Sequence, residues 1–307
     1  MWRKIHRQHI IIFMVHGVVD PLLQTTWRPL RRQLSVEKLD RGLALLAKHY
    51  QFISMGQAVS MLAGKVPLQP YSIVLTFDDG YRNNVTQAIP ILRKYNAPAT
   101  FFLSTGHVER REPFWYDRLD YAIQHLSKEQ SVTFADQTFF FRPYQEEVSR
   151  STFTNLRNLI KANALPYHET MREVNLIANS LEDNAHCRLA DIFENDHNSA
   201  IMSWEEARWA NGQGITIASH SVDHAILDRL GDFFIREQLT ESKKIIELRT
   251  GERCLYFCYP YARWNNNVAL LVRETGYVAA FTTNRGTNKV GDDLMTLHRI
   301  SFSELQL

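Results

Sequence analysis

The chain lacks the features that would place it in a non-globular class. No apolar run approaches the ~18 residues a membrane-spanning helix requires, and the best candidate, Ile10 to Val15, is only six residues long. Only three cysteines (Cys187, Cys254 and Cys258) occur in 307 residues. They are too few and odd in number for a disulfide framework, which fits a reducing compartment and makes the cytoplasm the expected location. Glycine (13) and proline (10) are too scarce for a collagen-like or low-complexity chain. Charge of one sign is missing as well: 35 Lys and Arg against 33 Asp and Glu leave a net +2, too weak a field to hold nucleic acid or an anionic membrane surface. Trp2-Arg3-Lys4-Ile5-His6-Arg7 has the look of the charged part of a signal peptide. The apolar run behind it, however, is short, β-branched like a buried strand and not followed by a small-x-small cleavage site, so no export signal is expected.

What remains is an ordinary globular composition, 45% hydrophobic and 22% charged. Apolar, β-rich runs recur at Ile10–Val15, Ser72–Phe77, Ala99–Leu103, Ile215–Ser219, Leu255–Cys258, Val278–Thr282 and Thr296–Phe302. Segments of helical period lie between several of them: Ser35–Tyr50, Asn84–Tyr95, Trp204–Gly212, Asp232–Thr250 and Asn265–Thr275. Such alternation predicts a parallel sheet with crossover helices. Seven candidate strands without a glycine-rich phosphate loop favour a barrel over a doubly wound sheet. The interval from about 107 to 201 differs, with a hairpin turning at Ala135-Asp136 and two or three polar helices. It reads as a mostly helical insertion, a cap or partner surface, in a chain that is otherwise one domain over 1–307.

Three strand ends carry the groups that could do chemistry. The first is Thr76-Phe77-Asp78-Asp79-Gly80. Strand side chains alternate, so both carboxylates reach one pocket only if the backbone turns at Gly80, and two adjacent carboxylates need a cation. A solvated turn would share this spelling. The second is His220-Ser221-Val222-Asp223-His224, whose i, i+4 histidines would share one face of a helical turn within reach of one metal ion. Taken alone, the two histidines could equally be core or surface residues. Together, a carboxylate and two histidines form a three-ligand set with open positions, as hydrolytic zinc and non-haem iron sites use. The third is Phe257-Cys258-Tyr259-Pro260-Tyr261-Ala262, where the proline ends ladder pairing and Tyr261 can wall a pocket. Cys254 and Cys258, on a strand, read as small core residues rather than ligands.

In this order the three strings resemble the polysaccharide deacetylase family, the NodB-homology proteins of carbohydrate esterase family four. The likeness covers roughly residues 9 to 106 and 202 to 302. Val74-Leu75-Thr76, Gly80-Tyr81, Asn84 and Ala99-Thr100-Phe101-Phe102 add to it, and Phe114-Trp115-Tyr116-Asp117 is similar to a string in a bacterial branch linked to exopolysaccharide and glycolipid synthesis. The resemblance implies a distorted (β/α)7 barrel that removes acetyl groups from N-acetylated sugars with a divalent metal, expected to be Zn²⁺. Asp79, His220 and His224 would hold the metal, and Asp78 would be the general base. Tyr261 would lend its backbone N–H to the oxyanion, with Pro260 shaping that loop. Two departures stand out. The family often places an arginine in the third motif to orient the base, but Cys258 stands near that place here, and Ala262 replaces the usual glycine. The late Leu-x-His of the general acid has an imperfect copy in Thr296-Leu297-His298, whereas Met14-Val15-His16 is a better match to apolar-x-His and resembles the circularly permuted branch of the family.

His16 rather than His298 is therefore expected to protonate the leaving amine. His16 ends a buried strand at the same barrel end as Asp78, while His298 lies near the start of its strand. Trp115, in the insertion, is expected to help bind substrate. The expected activity is metal-dependent N-deacetylation of a saccharide, oligosaccharide or glycolipid intermediate. A hydrolase of another linear or cyclic amide on the same barrel is the nearest alternative. A non-catalytic saccharide-binding relative is disfavoured by the intact Asp78, Asp79, His220 and His224. A non-haem iron oxygenase is disfavoured because its carboxylate usually lies close to its first histidine.

Overall fold

The structure, a computed structural model, describes residues 7–31 and 33–305, so Trp2 to His6 lie outside the described residues. Its centre is a ring of seven parallel strands: β1 (Ile11–Val15), β2 (Ser72–Phe77), β3 (Ala99–Leu103), β4 (Ile215–Ser219), β5 (Tyr256–Cys258), β6 (Ala279–Arg285) and β7 (Leu297–Ser301). Consecutive strands pair in that order and β7 returns to β1, through Phe13 opposite Ile300, which closes the barrel. The ring is uneven. β1–β2 and β3–β4 each align five residue pairs, β4–β5 aligns only Phe257 with Ser219, and the β6–β7 register shifts between Phe281 and Arg285. All seven strands fall where the apolar runs predicted them, so the expected distorted (β/α)7 barrel is what forms.

Strand alternation orders the interior. Ile10, Ile12, Val74, Phe102, Ala218, Tyr256, Cys258, Ala279, Phe281 and Leu297 form one buried cluster. On three of these strands the same face then reaches polar groups: Val74 leads through Thr76 to Asp78, Ala218 to His220, and Leu297 to Arg299. The apolar residues thus fix the barrel while the next position on the same face is released for chemistry. Helix Met55–Leu62, which the sequence reading missed, packs Met55, Ala58, Val59, Met61 and Leu62 into the same cluster and is started by a capping box between Ser54 and Gln57.

The helix expected over Asn84–Tyr95 is divided. A π-helical turn, Asn84–Ala88, precedes an α-helix, Ile89–Lys94, whose first turn holds Pro90. Proline has no N–H for the carbonyl four residues back, and Ile89 N–H instead bonds the Asn84 carbonyl, a five-residue step. Among the described residues no helix is long and apolar enough to cross a membrane.

The chain forms two compact units. The barrel unit comprises the chain up to Leu22, Leu34–Glu109 and everything from Met202 on; the other comprises Leu23–Gln33 and Arg110–Ile201. In the second unit, helix Trp115–Gln124 packs against helices Glu146–Ala162 and Tyr167–Ala185, which in turn pack on a hairpin of Gln130–Phe134 and Gln137–Phe141. The hairpin turns on Ala135 and Asp136, both at positive φ (47° and 61°), the conformation a two-residue hairpin turn requires. Its N-terminal strap is held by buried groups. Trp27 Nε1 donates to Asp196 Oδ1 (3.2 Å), Leu30 N–H to Asp120 Oδ2 (2.7 Å) and Arg31 Nε to Asp117 Oδ1 (3.1 Å).

Burial, against the pull of Gln124 and the Leu30 N–H, raises the Asp120 carboxyl to about 7, with Asp117 adding to the rise and Arg31 opposing it. A raised native pKa means that the folded state holds the proton more tightly than the unfolded one. The associated stability is complete below about pH 4 and is lost as pH rises through about 7. Melting temperature is therefore expected to fall between pH 5 and 8 through this group, and Asp120→Asn should flatten that slope. An unchanged slope in the variant would show that Asp120 is not its source.

Candidate active site

Asp79, His220 and His224 converge at the mouth of the barrel. Asp79 Oδ1 lies 3.6 Å from His220 Nε2 and 3.3 Å from His224 Nε2, and one potential ligand atom from each of the three lies within 4.8 Å of the others. All three are buried. The loops that gather them are strained. Asp79 (φ 78°) and Gly80 (φ 86°) turn the chain after β2 so that both aspartates face inward, as Gly80 was expected to allow. A Cβ on Gly80 would stand 3.0 Å from Leu103 Cδ2. The histidine pair is not on a helical turn, contrary to the i, i+4 reading. Residues 220–224 form a loop in which Ser221 (φ 66°) and His224 (φ 52°) are left-handed, folding the two rings to a centroid separation of 4.8 Å. Non-glycine residues in this region are held there only by their surroundings, a cost that clusters at functional sites.

The second aspartate has a different partner. Arg299, fully buried on β7, donates from Nη1 to Asp78 Oδ1 and from Nη2 to Asp78 Oδ2, both at 2.7 Å. Its remaining donors reach the Thr282 carbonyl (Nε, 2.8 Å), Thr76 Oγ1 (3.0 Å) and Cys258 Sγ (3.0 Å), so all five N–H groups are used. Burial by itself would push the Asp78 carboxyl up; the Arg299 charge and hydrogen bonds overcome it and hold Asp78 below the usual carboxylate value. The sequence reading missed Arg299 and treated Cys258 as a core filler. Cys258 is buried, but at the site: its thiol, pushed well up by burial, stays protonated against Arg299 and 3.7 Å from Asp78 Oδ2. A readable signal existed, because a cation at an inward register of a buried strand requires a buried anion opposite it.

The donor set fits a divalent cation at Asp79. His220 Nδ1 lies 2.7 Å from the Cys258 carbonyl, which can only accept, so the ring proton sits on Nδ1 and the Nε2 lone pair faces Asp79. Burial, then the neighbouring His224 ring, lower His220 to about 4, so it is neutral at ordinary pH, as a metal ligand must be. At Asp79, burial opposes the charge and the His224 ring favours it; the second wins, so the group is a carboxylate. Asp78, His220 and Cys258 also lie close enough for a metal, yet there both carboxylate oxygens are taken by Arg299 and the sulfur is a neutral thiol.

The other expected residues fall as follows. His16 directly follows β1, is half-buried, and lies near enough to Asp78 and Asp79 for its charge to lower both. His298 is exposed, on the opposite side of β7 from Arg299 and against Gly286. Pro260 opens a short turn, Pro260–Ala262, and Tyr261, left-handed at φ 57°, sets its ring 4.4 Å from that of His224. Trp115 belongs to the second unit, buried at the start of its helix and edge-on to Tyr116.

Comparison with known proteins bears on the fold and the family. The polysaccharide deacetylase family model matches residues 65–150 and 152–280. A Bacillus subtilis (strain 168) protein named as a polysaccharide deacetylase, YxkH, is 21% identical over 257 residues, covering 83% of this chain; the chain spans 60% of that relative's length. Among solved structures, the Streptococcus pyogenes deacetylase PplD in complex with acetate superposes with a TM-score of 0.60 at 17% identity, over 95% of this chain and 92% of that one. IcaB from Ammonifex degensii gives 0.60 at 16%, over 96% and 91%. A de-N-acetylase from Aggregatibacter actinomycetemcomitans gives 0.56 at 17%, over 96% and 95%. The structural likenesses show a shared barrel, and the family match runs through both the Asp78-Asp79 and His220–His224 segments: the chain belongs to the polysaccharide deacetylase family.

Proposed function

We propose that the protein is a divalent-metal-dependent N-deacetylase that removes the acetyl group from an N-acetylated saccharide or glycolipid intermediate. The observation that carries this reading is the pairing, in one buried pocket, of a three-ligand set (Asp79, His220, His224) with a second carboxylate, Asp78, held ionised by Arg299. A divalent ion, Zn²⁺ in this reading, would be held by Asp79, His220 and His224 and would supply acidity to water and polarisation to the amide carbonyl.

The residues of the chain do the rest. Asp78 is the general base. Its Oδ2 is approached by both Arg299 and the Cys258 thiol, whereas Oδ1 receives a single N–H from Arg299, so Oδ1 keeps a lone pair for the proton of the attacking water. His16 is the general acid that protonates the leaving amine, which could not depart as an anion. Tyr261 and Pro260 wall the acyl side, with the Tyr261 backbone N–H assigned to the developing oxyanion, and Trp115 is assigned a part in substrate binding. Residues 1–307 are read as one NodB-like catalytic domain with the insertion at about 107–201. The free cysteines Cys187, Cys254 and Cys258 favour a cytoplasmic precursor as substrate.

The test is metal content of the purified protein together with acetate release from a panel of N-acetylated sugars. About one divalent ion per chain is expected, and His220→Ala and His224→Ala should each lose most of it along with acetate release. Stoichiometric metal in both variants, or no acetate from any N-acetylated sugar, would overturn the reading.

A further inference from the structure

His16 and Gly17 form a short bridge between two fixed points. On one side, the Asp78 N–H donates to the Val15 carbonyl at 2.9 Å. On the other, the buried Val18 N–H donates to Asn83 Oδ1 at 3.0 Å. Both anchors come from the same segment, residues 78–83, which also carries Asp79. Between the two anchors Gly17 has no side chain to restrict its backbone, and its carbonyl accepts from the Leu34 N–H (3.2 Å). Asn83 is well placed to serve as a fixed post: it is buried, has helical φ and ψ (−65°, −16°), and directly precedes the π-helical turn Asn84–Ala88, which its side chain does not cap.

We propose that Asn83 is a positioning residue for His16, holding the acid in register with the base by tying the loop after β1 to the loop that carries Asp78 and Asp79. This rests on the reading of His16 as general acid. Acid and base are then referenced to a single stretch of six residues, so a shift of the loop after β2 moves both together. Loss of the Asn83 oxygen removes the tie from Val18 to the aspartate loop and leaves Val18 held by its strand pairing with Leu34; a misplacement of about 1 Å in a catalytic group can cost on the order of 10² in rate.

The experiment measures kcat, KM and bound metal for Asn83→Ala, Asn83→Asp, His16→Ala and the double variant His16→Ala/Asn83→Ala. Asn83→Ala should lower kcat roughly 10- to 100-fold with KM and metal content unchanged. Asn83→Asp, which keeps an oxygen in the same place, should retain most of the activity. The double variant should be no slower than His16→Ala, because Asn83 has nothing left to position. Should the alanine variant not fold, Asn83→Ser, whose hydroxyl stops short of the Val18 N–H, carries the same comparison at lower amplitude. Full activity of Asn83→Ala, or losses that multiply in the double variant, would overturn this inference alone. A fully active His16→Ala would overturn the acid assignment and this inference with it.

Discussion

Arg299→Leu is expected to cost the protein both stability and turnover while leaving its metal content close to that of the wild type. The guanidinium is the sole cation paired with Asp78 at hydrogen-bonding distance among the described residues, and both groups are essentially inaccessible to water. Removing one partner of such a pair leaves an uncompensated buried charge, a loss of about 3–5 kcal/mol. With Arg299 gone, burial governs Asp78 and its pKa rises, so at neutral pH the carboxyl carries a proton and cannot accept one. Turnover should drop by roughly 10²–10⁴, the usual contribution of a general base. The pH dependence should invert. In the wild type the lowered Asp78 pKa gives stability that is present above about 4 and lost as pH falls through the native value; in the variant the raised pKa gives stability that is lost as pH rises. Urea unfolding from about pH 2 to 8 beside acetate release reads both effects. Arg299→Lys should recover part of the stability but little of the turnover, since one ammonium cannot span two carboxylate oxygens, Thr76, Thr282 and Cys258. A fully active Arg299→Leu would remove Asp78 from the reaction.

The second large effect separates the adjacent aspartates. Asp78→Asn should keep stoichiometric metal and lose about 10²–10⁴ in kcat. It should also destabilise the fold, because Arg299 is left charged in the barrel without a counter-ion. Asp79→Asn should instead lower metal affinity, with turnover recovering as metal is added, and should leave the Arg299 pair undisturbed. Metal titration with kcat at saturating metal distinguishes the two. If both variants bind metal normally and both turn over, the paired carboxylates are only a turn.

The barrel was legible because each strand is a short apolar run bounded by polar residues, and Ser72–Phe77, Ala99–Leu103 and Ile215–Ser219 were read with their observed ends. Asp78, Asp79, His220 and His224 were legible because they directly follow those runs. What escaped the reading depends on distance or backbone. The arginine looked for in the third motif is supplied by β7, and the small Cys258 leaves its side chain room to reach Asp78. The grouping of Leu23–Gln33 with Arg110–Ile201 rests on bonds spanning 86 to 171 residues, such as Arg31 to Asp117 and Asn198 Nδ2 to the Trp27 carbonyl, which no local pattern reveals. The left-handed backbone at Asp79, His224 and Tyr261 is imposed by the closed site, since none of these residue types demands it.

The pairing of β7 with β1 also sets a schedule for synthesis. All three proposed metal ligands have been translated by His224, but a ribosome-bound chain that stops short of Leu297 has no partner for the free edge of β1 and no guanidinium for Asp78. Such a nascent chain could gather its ligands and still be inert, with a carboxylate buried at a cost that favours the open state. Emergence of β7 therefore seals the ring and supplies the guanidinium that keeps Asp78 ionised in one event. On the proposed function, activity and resistance to unfolding are then gained together, and a fragment that lacks β7 is expected to release no acetate.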